Sequence, residues 1–136
     1  MKHLLLSSLI IASASFVGCS DDDAEVIEIA GLWDNNFGSQ EDINSTQWGT
    51  AAVVYFDNQN NFAITQNAAD AEFSPSLFNK LVWTEVVNQE TWYCTIDFGK
   101  DTAEDAENTV NVADSSDLDD MGCGGFSWTK LVPVAQ

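Results

Sequence analysis

The chain has 136 residues, with 22 acidic side chains against four basic ones, no arginine and a formal net charge of -18, so it offers phosphates no cationic surface and nucleic acid is not expected as a partner. Its single histidine, His3, lies in an N-terminal segment expected to be removed, which excludes Ser-His-Asp and Cys-His catalysis and imidazole-built zinc or copper sites. A hydrophobic fraction of 45% with five tryptophans implies a packed core, and solubility in a salty medium accounts for the acidity.

Lys2 and His3 precede an apolar run from Leu4 to Val17, diluted only by Ser7, Ser8, Ser13 and Ser15, which is the pattern of a signal-peptide core. Gly18 and then Asp21, Asp22 and Asp23 stop the run short of the about 20 apolar residues that a spanning helix needs. The ending Phe16-Val17-Gly18-Cys19 resembles the lipobox of bacterial lipoproteins, with Phe16 where Leu is usual. That resemblance implies cleavage before Cys19, acylation of its sulfur and a membrane attachment that strengthens by about 0.8 kcal/mol per buried methylene. By the sorting rules of the same family, Ser20 implies the outer membrane, with the periplasmic or surface face left open, while Asp21 to Asp23 look like a surface-display tether. The other reading is a secretory signal cut after Ala12-Ser13-Ala14, which leaves Cys19 a free thiol. On the lipobox reading, residues 1–18 are the signal, 19–29 an acidic tether and 30–136 one globular domain.

Within that domain, Gly31-Leu32-Trp33 opens the first strand, a polar stretch follows to Ser45, and Thr46 to Trp48 and Ala51 to Phe56 are rich in β-formers on either side of Gly49. Asp57-Asn58-Gln59-Asn60-Asn61 is a dense turn signal into Phe62 to Thr65. Asn67 to Ser76 reads as a loop, Leu77 to Lys80 as a brief helical turn and Leu81 to Val87 as a strand. Asn88-Gln89-Glu90 then turns the chain into its best alternating stretch, with Trp92, Cys94, Ile96 and Phe98 on one face and Thr91, Tyr93, Thr95 and Asp97 on the other. Asp101 is placed to cap a helix with Glu104 reaching back, and Ala103, Ala106, Val110 and Ala113 recur at helical spacing, which predicts a short helix near residues 102–113. An acidic loop from Asp114 to Asp120, a tight turn at Gly122-Cys123-Gly124-Gly125 and a last strand from Phe126 to Val132 complete the chain. The order predicts a mostly β fold, a small antiparallel barrel or sandwich with one short helix. Gly31-Leu32-Trp33 also resembles the Gly-x-Trp of calycins, the lipocalin and avidin barrels, in which the tryptophan closes the floor; a plain core role for Trp33 is the alternative.

Cys94 and Cys123 lack Cys-x-x-Cys spacing and belong to an exported chain, so a structural disulfide is expected. No phosphate loop or dinucleotide fingerprint follows a strand. Asp34, Glu41, Glu85 and Asp97 lie nearest the strands and are the carboxylates to weigh for two-carboxylate glycan hydrolysis. Trp33, Trp83, Trp92 and Trp128 either build the core or stack on a ligand. Asp114, Asp117 and Asp119 read first as solvated charge; the alternative is an irregular calcium site, for which they are dense enough in oxygen although Met121 and Trp128 stand where an EF-hand needs ligands. The function expected is a lipid-anchored, non-catalytic envelope protein that binds a small ligand, a glycan or another envelope protein. A carboxylate-dependent glycan hydrolase and a purely structural envelope protein are the alternatives.

Overall fold

β-rich runs separated by tight turns pair with their sequence neighbours, and here that pairing continues until the last strand meets the first. The structure, a computed structural model, describes residues 24–135; the expected signal, Cys19 and the tether up to Asp23 lie outside the described residues. Eight antiparallel strands follow one another around a closed barrel: β1 (Gly31–Asn35), β2 (Gln40–Asn44), β3 (Gln47–Trp48), β4 (Ala51–Asp57), β5 (Phe62–Gln66), β6 (Phe78–Trp83), β7 (Thr91–Lys100) and β8 (Thr129–Pro133). Pairing of β1 with β8 completes the circle and decides between the expected barrel and sandwich. The β4–β5 turn forms as its composition predicts, with Asp57 Oδ1 accepting from the amides of Gln59 and Asn60 and Asn61 in the left-handed region at φ 53°.

The folded part starts earlier than the expected boundary at residue 30. Ile27 and Ile29 are 1% and 0% exposed and sit in the same core as Ile43, Trp83 and Leu131. The segment is tied down as it crosses that end of the barrel: the Ile27 amide donates to Ser45 Oγ, the Glu28 amide to Asn58 Oδ1, and Trp33 Nε1 to the Ile29 carbonyl. Burying each isoleucine contributes about 1.5–3 kcal/mol, which is why this stretch is domain and not tether.

The expected helical turn at Leu77 to Lys80 is not formed, because Phe78 to Lys80 pair with β5 and the strand ends at Trp83. Beyond it, Val87 and Glu90 close a two-residue turn in which Asn88 and Gln89 both have positive φ, the twist a hairpin requires. In β7 the Tyr93 face is the inner one, as Tyr93 pairs with Trp83 of the core. A register shift between Lys80 and Leu81 then breaks the expected alternation: Asp97 lies beside Lys100 and Thr109 outside the barrel, and Phe98 lines its mouth.

Between β7 and β8 the chain makes an excursion over residues 101–128. Its helix α1 spans only Ala103–Glu107, capped by Thr102, whose side chain accepts from the Asp105 amide, and not by Asp101. The expected continuation to residue 113 fails: Val110 and Val112 are 92% and 85% exposed, and Asn111 instead donates its side-chain amide to the Ile96 carbonyl. Ala106 alone delivers a buried face. The expected last strand begins at Thr129, later than Phe126, because Cys123 and Phe126 close the glycine turn. The expected disulfide between Cys94 and Cys123 is present, with a Cα–Cα distance of 5.5 Å, and pins the excursion to the outer side of β7.

Candidate functional site

The two ends of the barrel are built from different residues. At the closed end, Ile27 and Ile29 fill the interior and Trp83 Nε1 donates to Glu28 Oε2 at 3.3 Å. At the other end a cavity of about 140 Å³ opens, lined by Glu41 on β2, Trp48 on β3, Thr65 on β5, Asn79 on β6 and Tyr93 and Phe98 on β7. Asn79 stitches this mouth together: its amide donates to Thr65 Oγ1 at 3.2 Å and Asn67 Oδ1 at 2.8 Å, and its Oδ1 accepts from the Gly99 amide at 3.0 Å. Tyr93 donates its hydroxyl to Glu41 Oε1 at 2.9 Å, and Asn35 Nδ2 donates to the same oxygen at 3.2 Å. Burial first, and then the negative charge of Glu41, push the Tyr93 phenol well above the usual tyrosine range, so it stays a neutral donor. Trp48 is 5% exposed, its ring meets Tyr93 edge-on at 5.2 Å, and among the described residues its Nε1 finds no acceptor.

A second concave surface lies outside the barrel, where the strap of residues 109–115 stands off the wall of β5, β6 and β7. This groove encloses about 620 Å³ between an apolar floor of Phe62, Val82, Ile96 and Trp128 and polar groups from Asn61, Lys80, Glu85 and Asn111. Both charged side chains are already engaged: Lys80 Nζ donates to the Glu107 carbonyl at 2.8 Å and lies 4.5 Å from the Phe62 ring centre, and Glu85 Oε1 accepts from Asn61 Nδ2 at 3.0 Å. Trp128 holds the strap, donating its Nε1 to the Asp114 carbonyl at 3.1 Å and its amide to Leu118. Small-ligand sites run from about 300 to 1,000 Å³, a range that admits the groove and not the mouth as the seat of a whole molecule.

The four carboxylates singled out by sequence do not converge. Glu41 is in the mouth, Glu85 in the groove, Asp97 beside Lys100 at 3.3 Å, and Asp34 accepts from Gln40 on the surface, so no pair flanks a common cavity. Burial opposes ionisation of Asp97, but the Thr109 hydroxyl, Lys100 and the Phe98 amide outweigh it and hold this carboxyl below the usual range. Nor are Asp114, Asp117 and Asp119 brought together; among the described residues no group of three such side chains is assembled. Asp114 Oδ1 instead accepts from the Ser116 amide and hydroxyl, and Asp117 Oδ2 from the Met121 amide. The Ser116 contacts hold the Asp114 carboxyl below its ordinary range. Of the tryptophans, Trp83 belongs to the core, Trp33 is partly buried against it, Trp128 is buried under the strap and Trp92 lies outside with Lys130 Nζ 5.6 Å from its ring; Trp48, not among those singled out, is a core residue that also lines the mouth. Thr65 and Asn79 were missed as well, although two polar residues at inward positions of apolar strands are a readable signal.

No family model matches the chain, and neither the curated proteins nor the solved structures gave a match.

Proposed function

We propose that the chain is a lipid-anchored protein of the bacterial cell envelope, held in the outer membrane through Cys19, that binds a ligand without transforming it. The anchor rests on the apolar run and the Phe16-Val17-Gly18-Cys19 ending. Ile27 and Ile29 close the end of the barrel nearest the anchor in sequence, so on this reading the closed end is the one that faces the membrane.

The observation that carries the binding role is the 620 Å³ groove beneath the disulfide-pinned strap. Its lysine already donates to the Glu107 carbonyl and its glutamate already accepts from Asn61, and the rest of the contact surface is amides, hydroxyls and aromatic edges. Such a surface suits a neutral amphipathic ligand, and a glycan presents both the hydroxyls and the apolar ring faces it would meet. The test is a thermal-shift series of the processed protein with neutral oligosaccharides, alongside a variant carrying Asn111→Ala and Val112→Ala, two exposed positions on the strap. A melting temperature that rises with ligand concentration, and does so less in the variant, is the expected result. Release of reducing ends during the incubation would overturn the non-catalytic reading, and the absence of any shift would overturn the groove.

A further inference from the structure

Glu41 is a half-buried carboxylate without a cation. The ion pairs among the described residues join Lys100 to Asp97 and Lys130 to Glu90, and neither reaches it. Its Oε1 is occupied by Tyr93 and Asn35, and its Oε2 accepts no hydrogen bond among the described residues. Oε2 is not sealed from solvent, so a cation that enters the mouth can reach it, and partial removal of the carboxylate from water strengthens its field.

What surrounds it narrows the partner. Trp48, Tyr93 and Phe98 line the same cavity, and no lysine does. Aromatic faces attract cations through the ring quadrupole, and most strongly those that shed water easily. A net charge of -18 raises the local concentration of cations around the whole molecule. An anion would meet Glu41 with nothing to offset it, and a neutral ring would leave Oε2 without a counter-charge. Size adds a bound: a cavity of about 150 Å³ holds a benzene molecule, so the mouth's 140 Å³ fits one compact group of that size. We infer that the barrel mouth binds a small alkylammonium group, with Glu41 Oε2 as its counter-charge and Trp48, Tyr93 and Phe98 as the walls of an aromatic cage. The Tyr93 hydroxyl positions the carboxylate by fixing its other oxygen, and the site is separate from the outer groove.

The test uses the processed protein in detergent, with tryptophan fluorescence followed during titration by choline and by 3,3-dimethyl-1-butanol, the uncharged isostere of choline. Choline should give a saturable change and the isostere should bind at least about tenfold more weakly. Glu41→Gln retains an acceptor for Tyr93 and should erase that preference with little change in melting temperature. If that variant does not fold, Phe98→Leu on the exposed rim should weaken choline binding instead. Phosphocholine separates the two sources of the group: affinity equal to choline points to a head group carried on a phosphate, and weaker affinity to a free amine. Equal binding of choline and its isostere, a Glu41→Gln or Phe98→Leu protein that binds choline like the wild type, or no response to choline at all would each overturn the site.

Discussion

The closed end and the mouth are cut from the same strands yet follow opposite rules. At the closed end, Ile27, Ile29, Ile43, Trp83 and Leu131 are all buried and apolar, and the polar groups nearby serve to strap the entering chain in place. At the mouth, Glu41, Thr65, Asn79 and Tyr93 replace that apolar packing with a hydrogen-bonded lining around an open cavity. One end is filled by apolar side chains, and the other holds polar and aromatic groups in a fixed arrangement on the same core.

The sharpest way to break this contrast is to remove closed-end packing. Ile29→Ala, at a fully buried site, should cost about 4 kcal/mol by chemical denaturation, whereas Phe98→Ala on the rim of the mouth should cost far less. Loss of the Cys94–Cys123 bond follows. For a sequence separation of 29 residues, chain entropy gives about 3–4 kcal/mol, so reduction should lower the melting temperature by many degrees and open the groove beneath the strap.

Tyr93 sharpens the contrast through pH. Its folded-state pKa is raised, so the associated stability is complete below the unfolded value of about 10 and declines as pH climbs beyond it. Tyr93→Phe should remove this alkaline loss while costing about 1 kcal/mol at neutral pH, read from denaturation curves across the range. Asp97 runs the other way: its lowered pKa means stability that is present above about pH 4 and lost below it, a limb that Asp97→Asn should flatten. The smallest effect is expected at the acidic loop, where Asp114 and Asp117 already serve the backbone and millimolar calcium should leave the calorimetric melting temperature unchanged.

Most strands and the β4–β5 turn were legible because apolar runs and the Asp57 to Asn61 turn chemistry act locally, but β2, Gln40–Asn44, read as a polar stretch because Ile43 is its one apolar residue. The mouth was not, because which side chains face inward depends on register. A bulge between Val53 and Tyr55 and the shift at Lys80 and Leu81 each flip the faces that follow, and simple alternation cannot locate them. Ile27 and Ile29 read as part of the acidic tether because Glu25 and Glu28 and the aspartates before them dominate the stretch, although the two isoleucines alternate as an inward-facing pair does. Val110 fits helical spacing, yet the Asn108 cap and the Asn111 bond to Ile96 stop the helix first. The Asp114-Ser115-Ser116 run carried a turn signature that competes with metal ligation for the same oxygens.

The proposed anchor is checked by fractionation and mass spectrometry, with Cys19→Ser expected to release the protein from membranes or block its processing, and an unmodified Cys19 thiol contradicting it. The contrast between the two ends is tested most directly by hydrogen exchange of the indole N–H groups. Trp83, bonded to Glu28 at the closed end, should exchange only through global unfolding, while Trp48 at the mouth should exchange through local opening and be slowed selectively by choline. Equal exchange of the two indoles, unaltered by choline, would show that the barrel has no distinct binding end.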